Sequence, residues 1–184
     1  MTSQPDDPFA GALTHTDSLS LAWQPLAQWP AEPELAEVNR SAIALLGLLG
    51  SLDEPPPSVE EMPELAAPLL RLNQKLDLAL ELLGQLLARE RVLPPPVPVS
   101  VSARGVSWRP DPVPTAGPGL LMLHLLPHVP KALELPALLQ PRPDGTVVAE
   151  FHGVEPALGD ALERFVFRRH RRAIAQAKRP TDAS

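Results

Sequence analysis

Ser100, Ser102 and Gly105 stand in the order S-x-S-x-x-G, with Arg104 inside the run. Two hydroxyls, a guanidinium and the amides of a glycine turn could face a ligand and hydrogen-bond it. The same residues also fit a local role, in which Ser102 caps a β-turn and Gly105 supplies a permissive backbone angle. A second cluster, Arg164, Arg168 and Arg172, falls at i, i+4 and i+8, so one helical face would carry three guanidiniums toward a phosphate-rich partner. No aromatic side chains interleave there to stack bases, which makes a solvated helix end the simpler reading and nucleic acid the weaker one. His124 and His128 have a metal-like interval but sit on an expected strand, without Cys or carboxylate companions, so no metal is expected. G-x-S-x-G, H-E-x-x-H, a Walker loop and a glycine-rich dinucleotide fingerprint are all missing, and no catalytic residue is assigned. The expectation is a non-enzymatic protein without a cofactor.

The serines lie where the chain changes character. Pro94, Pro95 and Pro96 stop any helix and begin an extended run in which Val97, Val99 and Val101 alternate with Pro98, Ser100 and Ser102. Further strands are expected over 104–109, 120–126, 131–140 and 146–152, separated by turns over 109–119 and at PRPDG, 141–145. Five short strands at this spacing imply a small antiparallel barrel. An amphipathic helix then runs from about Pro156 to Lys178, with Leu158, Leu162, Phe165 and Val166 inward and the arginines outward. Far upstream, 18–23 reads SLSLAW, with Leu19, Leu21 and Trp23 on one side; this isolated strand must pair with the later sheet, if it pairs at all.

Between these parts lies a helical region. Pro33, with Glu32, Glu34 and Glu37, suits a first helical turn, and Leu35, Val38, Ala42, Leu45 and Leu49 form the stripe of a helix ending near Gly50 to Asp53. Pro55 to Pro57 then break the chain, so the next helix could fold back as an antiparallel hairpin. From Glu64 to Leu93, Leu65, Leu69, Leu72, Leu76, Ala79, Leu83 and Leu86 recur in a heptad seam. A second row, Leu70, Leu78, Leu82 and Leu87, widens the face beyond what a two-stranded coiled coil buries, and about 28 residues at about 1.5 Å each would extend about 40 Å. The seam is therefore read as an oligomerisation element. Asn73 and Gln74 at its middle would fix register if they face the core, or be solvated if they face out.

Composition bounds these readings. With 44% hydrophobic residues the chain can bury a core, and without Cys it has neither disulfides nor thiolate metal sites, which suits a reducing cytoplasmic setting. The start of the chain has no basic and apolar signal pattern, and charged or amide residues interrupt the leucine run, so no membrane insertion is expected. The net charge of −6 hides an asymmetry: residues 1–64 hold eleven Asp and Glu against Arg40 alone, whereas 164–179 hold seven Arg and Lys and no acid.

The strand, S-x-S-x-x-G, strand order and the closing LERFVFRRHRR segment resemble a PilZ domain over residues 95–179. Together with the long heptad helix, the chain is similar to the atypical, tetramer-forming PilZ proteins of the xanthomonad type over about 31–179. The resemblance implies an α+β chain: a tail with a short strand (1–30), a helical oligomerisation extension (31–93), a small antiparallel barrel with its closing helix (94–179) and a tail (180–184). It also implies a homo-oligomer, a tetramer, acting in cyclic di-GMP signalling, motility, type IV pilus or virulence functions through a signalling or pilus protein partner. Ser102 and Gly105 match the family's [D/N]-x-S-x-x-G motif, whereas Ser100 replaces its Asp or Asn. The family's R-x-x-x-R motif is absent; Arg89 and Arg91 are the nearest arginines, spaced R-x-R. Arg89, Arg91, Ser100, Ser102, Arg104 and Gly105 are thus the candidate ligand residues. Cyclic di-GMP would be a regulatory ligand held outside the standard mode, or in a rebuilt site.

Overall fold

The structure, a computed structural model, describes residues 9–53, 68, 71, 72, 74–76, 78, 79, 82, 93–125 and 131–177. Six strands, β1 (His15–Pro25), β2 (Val97–Val101), β3 (Gly105–Trp108), β4 (Gly117–His124), β5 (Leu133–Pro141) and β6 (Val147–Phe151), form an antiparallel barrel closed in the order β1-β2-β3-β6-β5-β4. Among the described residues, the helices α1 (Glu32–Asp53) and α2 (Pro156–Ala177) accompany it. The alternation of Val97, Val99 and Val101 does place one face inward: Val99 and Val101 are buried while Ser100 stays accessible.

The sixth strand is the isolated SLSLAW stretch, extended at both ends. Its first half, His15 to Leu19, pairs with Val101 to Val97, and its second half, Ser20 to Pro25, pairs with His124 to Gly119. The aperiodic tail expected to Asp17 therefore stops sooner, because His15, Thr16 and Asp17 already lie in the ladder. Their polar side chains break the hydrophobic alternation, whereas backbone pairing does not depend on it. Gly117 and Pro118, expected in a turn, likewise open β4, where Pro118 occupies a strand terminus that tolerates a missing N–H.

A single hydrophobic cluster joins the barrel to the helices. Val99, Val106, Leu121, Leu123, Leu135, Leu139, Val147 and Ala149 belong to it, as do Ala42, Leu45, Leu46 and Leu49 of α1 and Leu158, Leu162, Phe165 and Val166 of α2. Each fully buried leucine of this set contributes about 1.5–3 kcal/mol. The first helix, grouped by the sequence with the helical extension, thus packs against α2 and β5.

α1 starts where Glu34 Oε2 accepts the Ala31 N–H at 3.0 Å, a carboxylate closing the first turn. Its last turn holds no basic residue. The Arg168 guanidinium of α2 lies there instead, so close that a Cβ on Gly50 would sit 3.0 Å from its Nη2. Asn39 locks the two helices together from a buried position: its Nδ2 donates to Leu35 O and Gly153 O, both at 2.8 Å, and its Oδ1 accepts the Glu155 N–H at 3.0 Å. Gly153 itself has φ +69°, the left-handed turn from which α2 departs.

Pro68, Arg71, Leu72, Gln74, Lys75, Leu76, Leu78, Ala79 and Leu82 are helical and exposed. Leu65, Leu69, Leu70, Leu83, Leu86 and Leu87 lie outside the described residues, as do Asn73, Arg89, Arg91 and His128. Among the described residues, no helix is long and apolar enough to cross a membrane.

Candidate functional site

The S-x-S-x-x-G segment is the hairpin turn between β2 and β3, and its polar groups are largely consumed within the turn. Ser102 is 0% exposed. Its Oγ accepts the N–H groups of Arg104 (3.2 Å) and Gly105 (3.1 Å) and donates to Gly105 O at 3.1 Å, while the Ser102 N–H reaches the same carbonyl at 2.9 Å. Of the two roles open to Ser102 in the sequence, the geometry matches the turn cap. Gly105 is required for a different reason from the one expected. Its φ is not positive; a Cβ there would meet the Ala149 carbonyl oxygen of β6 at 2.6 Å. The glycine lets two strands approach, and does not supply an unusual backbone angle.

Ser100, at the motif's Asp or Asn position, pairs with Thr16 of β1 and Ser107 of β3. Its hydroxyl hydrogen-bonds Thr16 Oγ1 at 3.0 Å. Sequence reasoning missed Thr16 because its partner is 84 residues away and no local spacing links them. Arg104 turns its side chain outward, while its carbonyl accepts the Phe151 N–H at 2.9 Å and ties the turn to β6. The candidate set therefore divides. Ser102 and Gly105 are buried in the hairpin, Ser100 faces β1, and Arg104 alone of the described candidates presents a free charge to solvent.

Arg104 stands on a cleft of about 440 Å³, formed with Gly11 to Leu13 before β1 and Glu163, Arg164, Val166 and Phe167 of α2. The basic helix supplies its second arginine. Arg164 also lines a neighbouring groove of about 260 Å³ against Gly47, Gly50 and Ser51 of α1, together with Arg168. The remaining arginines of α2 are engaged elsewhere. Arg169 pairs with Asp17 at 3.8 Å, donates to Leu125 O at 3.3 Å and stands 5.5 Å from the Phe165 ring, and Arg171 stands 5.7 Å from Phe167. Of the expected face, Arg164 and Arg168 share one groove, and Arg172 is exposed beyond it. His124 is half-buried on β4, and among the described residues no cluster of three His, Cys, Asp or Glu could hold a metal.

The PRPDG turn after β5 carries one perturbed carboxyl. Asp144 Oδ1 accepts from Thr146 Oγ1 at 2.6 Å and from the Thr146 N–H at 3.0 Å. These bonds, the hydroxyl first, hold its carboxyl below the usual carboxylate range.

Comparison with known proteins gives this geometry a context. A family model described as the atypical PilZ domain, cyclic di-GMP receptor, matches residues 49–179. No curated protein matches the chain. Among solved structures, a pathogenic protein from Xanthomonas campestris, a tetrameric PilZ domain self-assembled through an unusual helical bundle, is similar with a TM-score of 0.70 and 30% identity, covering 91% of this chain and 93% of that one. The residues matched by the family model exclude β1, although β1 closes the barrel. A closed six-stranded barrel with a capped serine turn, a match over most of its length and this structural likeness lead to one assignment: the chain belongs to the atypical PilZ domain family.

Proposed function

We propose that this protein is a non-enzymatic, cytoplasmic adaptor of bacterial cyclic di-GMP signalling, acting in motility, type IV pilus or virulence functions. It self-associates through its long helices, as a tetramer. The observation that carries this reading is the exposure of Leu72, Leu76, Leu78 and Leu82 at 55–61% on helical residues between α1 and β2. Leucines from both sequence rows are uncovered in the single chain, and covering each would contribute about 1.5–3 kcal/mol. The tetrameric Xanthomonas protein, assembled through a helical bundle, supports the same use of this region.

Direct binding of cyclic di-GMP lies outside the standard mode in this reading. The Ser102 hydroxyl is spent inside its turn, Ser100 brings no carboxylate or carboxamide, and the R-x-x-x-R motif is absent from the sequence. A ligand carrying two phosphate charges would lose charge-assisted contacts worth about 1.5–3 kcal/mol each. Clustered barrels would instead act by presenting several copies of one surface to a partner.

Sedimentation equilibrium tests the assembly. Four chain masses are expected at micromolar concentration, and Leu76→Asp with Leu83→Asp together should yield monomers. A monomeric wild-type chain, or an unchanged oligomer in the double variant, would refute it.

A further inference from the structure

The cleft beside the hairpin turn has properties that neither the barrel nor the long helix needs. Leu13 and Phe167 stand at it 43% and 51% exposed, with Val166 below them. Arg104 and Arg164 line the same space, and neither guanidinium has an ion-pair or hydrogen-bond partner among the described residues. The chain as a whole is acidic, with 22 Asp and Glu against 16 Lys and Arg, so two unmatched guanidiniums beside half-exposed apolar side chains are a local exception. A contiguous exposed apolar patch rimmed by polar residues is a mark of an interaction site.

The barrel limits how a partner could be held. Its six strands close on themselves, leaving no free edge for a partner strand to extend. Recognition through side chains in a cleft remains. One exposed phenylalanine offers no run of stacking platforms, so the cleft suits nucleic acid poorly.

We infer that this cleft docks an acidic segment of a protein partner, seating one aromatic or branched aliphatic side chain against Leu13, Val166 and Phe167 while flanking carboxylates meet Arg104 and Arg164. The inference rests on the adaptor reading above and names the chemistry of the adaptor's partner. Charge complementarity selects the occupant, and the apolar walls select its anchor.

Random nonapeptides displayed on phage, panned against the immobilised full-length protein, test this directly. Enriched sequences should join two or more Asp or Glu residues to one Phe, Trp, Ile or Leu. The enriched peptide, made with a fluorescent label, should bind by anisotropy, and R104E with R164E should weaken it about 100-fold, near one order of magnitude per lost charge-assisted contact. F167S should weaken it about tenfold, and E163Q should not weaken it. These residues are exposed or on the rim, so circular dichroism and sedimentation should match wild type and separate lost docking from lost folding. Enrichment without that composition, peptide binding retained by the R104E and R164E pair, or preference for an oligonucleotide would overturn the inference. A monomeric protein that still binds the peptide through these arginines would remove the assembly reading and leave the docking site standing.

Discussion

Replacing Ser102 by Ala removes a hydroxyl on which the β2–β3 turn closes. The N–H groups of Arg104 and Gly105 lose their acceptor, and the Gly105 carbonyl keeps the Ser102 N–H at 2.9 Å. Arg104 lies in an exposed position where water can replace the lost bond, a cost of about 1 kcal/mol. The Gly105 amide is buried, and leaving it unsatisfied costs about 1–3 kcal/mol. The sum, about 2–4 kcal/mol, corresponds to a Tm lowered by about 4–16 °C for a chain of this size. Thermal unfolding followed by circular dichroism measures it, at fixed protein concentration because association shifts apparent stability. Ser100→Ala serves as the control: its one accessible bond to Thr16 should cost about 0.5 kcal/mol. A Ser102→Ala effect below about 0.5 kcal/mol, the range of ordinary surface changes, would refute the internal cap and return the hydroxyl to a ligand-facing role.

Asn39→Ala should destabilise the chain by about 3 kcal/mol in urea unfolding, because three hydrogen bonds vanish together, two of them linking α1 to the start of α2 and one within α1, and the Glu155 amide loses its side-chain acceptor. Asp144 has a folded pKa below its unfolded one, so its stabilising contribution is present above the ordinary carboxylate pKa and is lost as pH falls through the lowered folded value. Asp144→Asn should therefore melt slightly below wild type at neutral pH and converge with it in acid; a gap that persists or widens in acid would contradict this.

The sequence made the fold legible wherever periodicity carries the information. Val97, Val99 and Val101 announced β2, and Leu158, Leu162, Phe165 and Val166 announced the buried face of α2. Closure of the barrel was harder to read, because β1 pairs across the chain with strands about 80 and 100 residues later, and no local pattern encodes that separation. Gly105 was visible as a required glycine, but whether backbone angle or close approach demands it depends on Ala149, which only the tertiary fold brings near. The same holds for the cleft. Arg104 and Arg164 stood out by charge, yet their meeting at one cleft with the exposed Leu13 and Phe167 depends on the tertiary fold, which brings α2 beside the β2–β3 turn.

Calorimetric titration of the full-length protein with cyclic di-GMP tests most directly whether the serine motif now serves the hairpin and no longer a ligand. With Ser102 buried in its turn and Ser100 bonded to Thr16, no saturable heat is expected at high ligand concentration. Saturable binding that Arg104→Ala or Ser100→Ala abolishes, with the barrel still folded, would contradict it.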